Sequence, residues 1–299
     1  MTVRPASTTR AFAVAALGIA SYSCMDAVMK GMSIAHGAYS AVLWRSIGGV
    51  VLMGPVFVAT RRPWPGRAAL TLHFWRGAVA GASVVLFFWG LVRVTMAQGV
   101  ALTFLAPLIA LYLAAGFLGE RIRRAAIWGS LVASLGVLAI AWGEVEAHAS
   151  ADAVLGAVAI FIASILYAIS LILLRRQAQI ADPLEVALFT SIVLGALLLI
   201  GAPWFSSFPA PHLWPGILGA AALGSVSAML VAWAYARAEA QVLAPVEYTA
   251  FVWSAILGYL VFAERVSLWT VGGALLIIAG CLVAIRGKIA PAPQTEAAA

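Results

Sequence analysis

Apolar positions along this chain fall in continuous runs of about twenty residues, separated by short stretches that hold most of the charge. A run of about 20 apolar residues is what a helix needs to cross the ~30 Å hydrocarbon core of a bilayer. Ten such helices are predicted, at Phe12 to Met32, Tyr39 to Ala59, Phe74 to Val92, Ala97 to Leu118 (interrupted by Pro107) and Ala125 to Trp142, then at Val154 to Leu174, Leu184 to Ala202, Trp214 to Ala236, Val242 to Phe262 and Leu268 to Ile285. A transmembrane β-barrel would instead show segments of about ten residues alternating polar and apolar, and no such alternation occurs. The first run, after Arg10, has some features of a cleavable signal, but it continues past Ser21-Tyr22-Ser23 and is expected to be retained as helix 1. The tail from 289 to 299 is expected to be disordered.

The pattern is written twice. Glu120-Arg121 recurs as Glu264-Arg265, Gly129 as Gly273, Gly136 as Gly280 and Gly143 as Gly287, each in the same apolar setting. Earlier parts follow: Ile19-Ala20-Ser21 matches Ile162-Ala163-Ser164, Leu43 to Ile47 aligns with Leu188 to Ile192, and His73 to Gly77 resembles His212 to Gly216. Trp89 and Arg93 match Trp233 and Arg237. Two five-helix units are expected, at 1–147 and 148–288. Five is odd, so equivalent helices must cross in opposite directions, and the fold class is an all-α integral membrane protein of ten transmembrane helices in two inverted five-helix repeats.

Charge sets the orientation. With the N-terminus inside, fourteen of the 18 Lys and Arg residues fall on the cytoplasmic side, against Lys30, Arg93 and Arg265 outside and Arg45 within helix 2. Cytoplasmic loops carry the excess of basic residues, so both termini are expected in the cytoplasm and the protein in a bacterial inner membrane. The composition agrees: 64% of residues are hydrophobic, 10% charged, and the mean hydropathy is +1.03. The net charge of +7 orients helices and does not point to nucleic acid. Cys24 and Cys281 lie in apolar runs without metal-ligand or disulfide spacing; no metal and no cofactor are expected.

The first unit's Ala101-Leu102, Pro107, Gly119-Glu120, Gly129 and Gly136 resemble the EamA-type repeat of the drug/metabolite transporter superfamily. The second unit departs from it: Phe251 stands at the counterpart of Pro107, and Pro245 lies earlier in helix 9. Length, helix count and aromatic-rich inner segments look most like the YddG-type exporters of amino acids and related metabolites. The resemblance implies export through a cavity lined mainly by helices 1, 3, 4, 6, 8 and 9.

Charges inside a bilayer cost roughly 2.5 to 3.5 kcal/mol each, so each one asks for a reason. Asp26 and Lys30 are four apart on one helix face; they form either a neutralising pair or a site at which Asp26 meets a substrate ammonium or a coupling proton. Arg45 lies near enough on helix 2 to join them, and neither Asp26 nor Arg45 has a charged counterpart in the second unit (Ile169, Thr190). Glu247, matched by Thr103, is a further candidate for coupling or gating, or else a structural partner for a base. Glu120 and Glu264 recur at helix ends and are read as structural. Trp89 and Trp233, Phe104 and Tyr248, and Tyr22 and Tyr167 are expected deep in the membrane, where Trp N–H and Tyr O–H suit a polar cavity. With Ser21, Thr103 and Ser164 they form the expected substrate-binding set. Gly77 and Gly81 suggest close helix packing, and the glycines of helices 5 and 10 a small ridge for scaffold or mutual contact.

These readings converge on a secondary transporter that exports small amphipathic metabolites, amino acids foremost, by alternating access. A multidrug exporter or an uncoupled facilitator is the alternative. No Walker-type loop is present, so ATP hydrolysis within the chain is not the engine. A lipid-modifying enzyme would need clustered His and carboxylate groups, whereas His36, His73, His148 and His212 are read as scattered among loops; no catalytic residue is assigned. The expected partners are a small-molecule substrate and the lipid bilayer, with the chain a monomer or weak homodimer.

Overall fold

The computed structural model describes residues 8–61, 64–106, 108–110, 112–113, 124–146, 150–177, 180–235, 246 and 248–285. Ten α-helices are found among them: α1 Thr8–His36, α2 Ala38–Ala59, α3 Arg67–Leu91, α4 Met96–Thr103, α5 Arg124–Glu146, α6 Ala151–Gln177, α7 Pro183–Phe205, α8 Trp214–Tyr235, α9 Thr249–Phe262 and α10 Leu268–Ile285. Six are long and apolar enough to cross a membrane, and the other four are shorter apolar helices. Large apolar side chains such as Leu17, Val58, Ile200, Trp204 and Leu260 point outward, as they must where the surrounding solvent is lipid. In lipid the backbone has no water to bond to, and a helix satisfies it internally.

Local chemistry fixes the joints. Gly37, at φ 80°, is the single residue between α1 and α2, a conformation that costs glycine nothing. Asp182 caps α7 by accepting from the N–H groups of Leu184 and Glu185, with Pro183 at the first helical position. Thr95 caps α4. The α4 helix gives way to a turn at Phe104-Leu105, just before Pro107, and is helical again at 108–110. Pro107 itself lies outside the described residues, as do Glu120, Arg121, Arg237, Pro245 and Glu247, the expected tail and Gly287.

The two units interlock. Helix α1 packs on α8 and α3 on α6, so the first helix of each unit lies against the third of the other; α2 packs on α7 and α5 on α10. An inverted repeat about one pseudo-two-fold axis produces this pairing. The expected small ridge is the α5–α10 contact itself. A Cβ built on Gly136 would lie 2.5 Å from the Gly273 carbonyl oxygen, one on Gly273 would lie 2.5 Å from that of Gly136, and Gly280 sits against Gly129 in the same way. Backbone therefore meets backbone, antiparallel, along α5 and α10. Gly77 and Gly81 likewise receive Val193 and Leu194 of α7.

Two apolar cores result. One joins α1, α2, α3, α7 and α8 through Met25, Met29, Leu43, Phe88, Leu194 and Ile217. The other joins α4, α5, α6 and α10 through Val100, Leu102, Ala133, Ile140, Ile160 and Ile277. One boundary is corrected. Helix 3 begins at Arg67, seven residues before the expected Phe74, because nothing polar in Ala68 to Leu72 except Thr71 opposes the helix. That brings His73 into α3 and moves Arg76 from near the start of the helix to well inside it.

Candidate functional site

The start of α1 and the end of α10 define one face of the bundle, here the near face; the α1–α2 joint lies on the far face. By helical rise, Asp26 lies about 15 Å along α1 from His36 and Arg45 about 10 Å along α2 from Ala38, while Arg76 is about 14 Å up α3 from the near face. These depths bring three charges from three helices toward the middle of the bundle. Asp26 and Arg45 act on each other electrostatically, and both, with Arg76, act on the Tyr22 hydroxyl. All four side chains are half-buried. Tyr167 of α6 reaches the field of Arg76. Arg76 also donates from Nη1 to Thr190 Oγ1 of α7 at 2.6 Å.

Few bonds tie the arginines down. Among the described residues Arg45 makes one long contact, Nη1 to Met25 Sδ at 3.9 Å, and the buried Nε atoms of Arg45 and Arg76 have no hydrogen-bond partner. Asp26 forms no ion pair with either among the described residues. The cluster is thus a set of loosely bonded charges of the first unit, tied to the second through Thr190.

Lys30 does not pair with Asp26. One turn further along α1, it is drawn to the far face, where its ammonium donates to a Glu264 carboxylate oxygen and, at 2.7 Å, to the Val94 carbonyl. Glu264 also accepts from the Met96 N–H at 2.8 Å. Lys30 is buried, and the carboxylate at the end of α9 offers it a countercharge that the half-buried Asp26 does not. This latch joins α1, the α3–α4 connection and α9, and it floors a 390 Å³ vestibule lined by Arg93, Thr95, Gln98 and Phe262. Nearby, Trp44 donates to the Ser207 carbonyl at 3.0 Å and packs against Phe208 and Trp214.

The aromatic residues divide. Phe104 and Tyr248 meet edge to face, ring centroids 5.2 Å apart, so this repeat-related pair joins α4 to the start of α9. Trp89 is not deep: it lies two residues from the end of α3, which gives way to a turn at Val92; the residues that follow Tyr235, beyond Trp233, lie outside the described residues. The Arg93 guanidinium stacks 3.5 Å over Trp89 while Arg93 pairs with Asp152 at 3.0 Å, and Arg10 lies 5.9 Å from the ring of Trp233. Trp89 is thus placed as an interface residue, where indoles are favoured. Ser164 is buried, with its hydroxyl engaged by the Ile160 carbonyl at 2.9 Å, so it packs and does not line. Thr103 bonds its own helix at Val100, and Ser21 stands half-buried beside Tyr22. Tyr167 is 47% exposed. Glu247 lies outside the described residues.

Sequence reasoning passed over Arg76, which it counted among the orienting charges on the cytoplasmic side, and missed a buried network below it. His73 Nε2 bonds Glu185 Oε1 at 2.8 Å, the Gln177 amide meets His73 Nδ1, and the imidazole stacks on Phe189 with centroids 4.8 Å apart. The lost signal was periodicity: His73, Arg76, Gly77 and Ala80 recur at three- and four-residue spacing, one face of a helix.

A polytopic helical bundle with a charged cluster buried between interlocking inverted units is the architecture of a membrane transporter. Residues 9–142 and 154–286 each match the EamA-like transporter family, and the chain belongs to that family, within the drug/metabolite transporter superfamily; it is a transporter and not an enzyme. It is 26% identical over 281 residues to the pseudopaline exporter CntI of Pseudomonas aeruginosa (strain UCBPP-PA14), covering 92% of this chain and 95% of that one. It is 28% identical over 222 residues to an uncharacterized transporter of Helicobacter pylori (strain J99), covering 70% and 72%. It is 24% identical over 276 residues to a riboflavin transporter of Brucella anthropi, covering 89% and 95%. A solved crystal structure superposes with a TM-score of 0.60 at 21% identity, over 93% of this chain and 98% of that one, a likeness of fold.

Proposed function

We propose that the protein exports small amphipathic metabolites, amino acids among them, across a bacterial inner membrane by alternating access. The observation that carries this reading is the cluster of Asp26, Arg45 and Arg76: charges held in the membrane, loosely bonded, on helices of one unit with Thr190 of the other. A zwitterion supplies both countercharges. The relatives' names support solute transport, and one of them names an exporter. The near face is the cytoplasmic one by the positive-inside rule, so the far face, held by the Lys30–Glu264 latch, is the periplasmic gate. The two units, about 1–147 and 148–288, rock about the cluster, and Phe104 and Tyr248 lie along the path that they open.

Radiolabelled amino-acid flux in liposomes carrying the purified protein tests this. Protein-dependent flux of at least one amino acid is expected; none for any would sink the amino-acid reading. Repeating the assay with and without a pH gradient separates coupled export from a facilitator. Coupling through Asp26 requires that Asp26→Asn abolish the gradient dependence while flux down a substrate gradient persists.

A further inference from the structure

Among the described residues two guanidinium groups and one carboxylate lie half-buried toward the middle of this bundle, and the imbalance says something about the solute. We propose that Arg45 and Arg76 form a seat for a carboxylate, and that the preferred substrates are acidic: solutes with more carboxylates than ammonium groups. The proposal rests on the transport reading above and names its substrate class.

Each guanidinium offers five N–H donors in a rigid fork. Arg76 uses one firmly, on Thr190 Oγ1, and Arg45 none beyond a 3.9 Å contact with a thioether sulfur. The Nε atom of each is buried and unpartnered. Polar groups left so in a membrane interior are costly, and their arrangement calls for an acceptor from outside the chain. The two arginines come from α2 and α3, and both lie near enough to the Tyr22 hydroxyl of α1 to act on it. Planar, two-oxygen acceptors match that geometry, because Arg–carboxylate pairing is commonly bidentate.

The charge balance narrows the class. Among the described residues Asp26 is the only carboxylate whose charge acts on Arg45, and none acts on Arg76, so one positive charge is in excess among them. A neutral zwitterion sets its ammonium on Asp26 and its carboxylate on one arginine, and the other arginine stays unsatisfied. A second carboxylate on the solute neutralises the cluster. Tyr22 and Tyr167 add hydroxyl donors beside the same space.

The test is binding to the full chain in nanodiscs, followed by flux, with two matched pairs that differ by one carboxylate: L-glutamate against L-glutamine, and N-succinyl-L-phenylalanine against N-acetyl-L-phenylalanine. At least a tenfold preference for the acid is expected in one pair, falling to below threefold in Arg45→Gln or Arg76→Gln. Arg45→Lys, which keeps the charge and loses the fork, is expected to retain part of it and serves where the Gln variants do not fold. No discrimination by the wild-type protein in either pair overturns the proposal, as does discrimination unchanged in folded Arg variants. If neutral amino acids are carried and neither acid is preferred, the transport reading stands and the acidic class falls; binding of the acids without flux of any solute does the reverse.

Discussion

The α5–α10 seam and the Arg45 cluster are both places where the two units meet, and they are built on opposite rules. Along the seam the units present the same residues to each other: Gly136 faces Gly273, and Gly129 faces Gly280, backbone against backbone. At the cluster they present different ones. Arg45 has Thr190 as its repeat counterpart, Asp26 has Ile169 and Arg76 has Pro215. The contact there is itself asymmetric, since Arg76 bonds the very threonine that stands where Arg45 would be repeated. Two helices that only need to approach closely are served by symmetry. A single site on the two-fold axis, binding a solute that has no two-fold symmetry, is not, and there the copies have diverged.

The largest effect belongs to the seam. A side chain at Gly280 meets the Gly129 carbonyl and the Ala133 backbone nitrogen, and one at Gly136 meets the Gly273 carbonyl at 2.5 Å. Backbone on both sides cannot rotate away, so the helices must part. Gly280→Val and Gly136→Val are expected to abolish recovery of monodisperse protein from detergent extracts, measured by size-exclusion chromatography, whereas Arg76→Gln elutes as wild type. A well-folded Gly280→Val protein would break the contrast between a structural seam and a functional cluster.

The far-face latch comes next. Lys30 is buried with Glu264 as its countercharge, and breaking a buried pair by removing one partner costs about 3 to 5 kcal/mol, because the other charge remains. Glu264→Gln is expected to lower the melting temperature in detergent by several degrees. Lys30→Met with Glu264→Gln is expected to recover part of that, because no unpaired charge is left. Equal melting temperatures for the single and double variants would show that the pair does not hold the far face.

Most of the fold could be read from the sequence because its causes are local. Runs of apolar residues dictate spans, and an odd number of helices per unit dictates inversion. Glu264 could be assigned to structure because it recurs in both units. The site was harder. Lys30 sits four residues from Asp26, and spacing alone pairs them; its partner is 234 positions away, and no local rule finds it. Arg76 was lost because a basic residue near a predicted helix start reads as an orienting charge, when the start was seven residues earlier. Trp89 was placed too deep for a related reason: its distance from the membrane surface depends on where α3 ends. The His73–Glu185–Gln177 network draws on three helices, and nothing in the spacing of the three residues brings them together.

The smallest effect separates two serines matched by the repeat. Ser21 and Ser164 align in sequence, yet Ser21 is half-buried beside Tyr22 of the cluster, and Ser164 is buried with its hydroxyl bonded one turn back to Ile160. Its link to α4, 3.4 Å from the Leu102 carbonyl, is at the long end of hydrogen-bonding range. Ser83 makes the firmer interhelical bond, to the Ala163 carbonyl of α6 at 2.7 Å. Interhelical bonds in membranes average about 0.6 kcal/mol. Ser83→Ala is therefore expected to cost about that much and Ser164→Ala only a few tenths of it, read as unfolding free energies in mixed micelles, with transport unchanged in Ser164→Ala. A transport defect in stable Ser164→Ala protein would move the solute path from the cluster toward the α4–α6 contact, and the divergence of the two units would no longer mark the site.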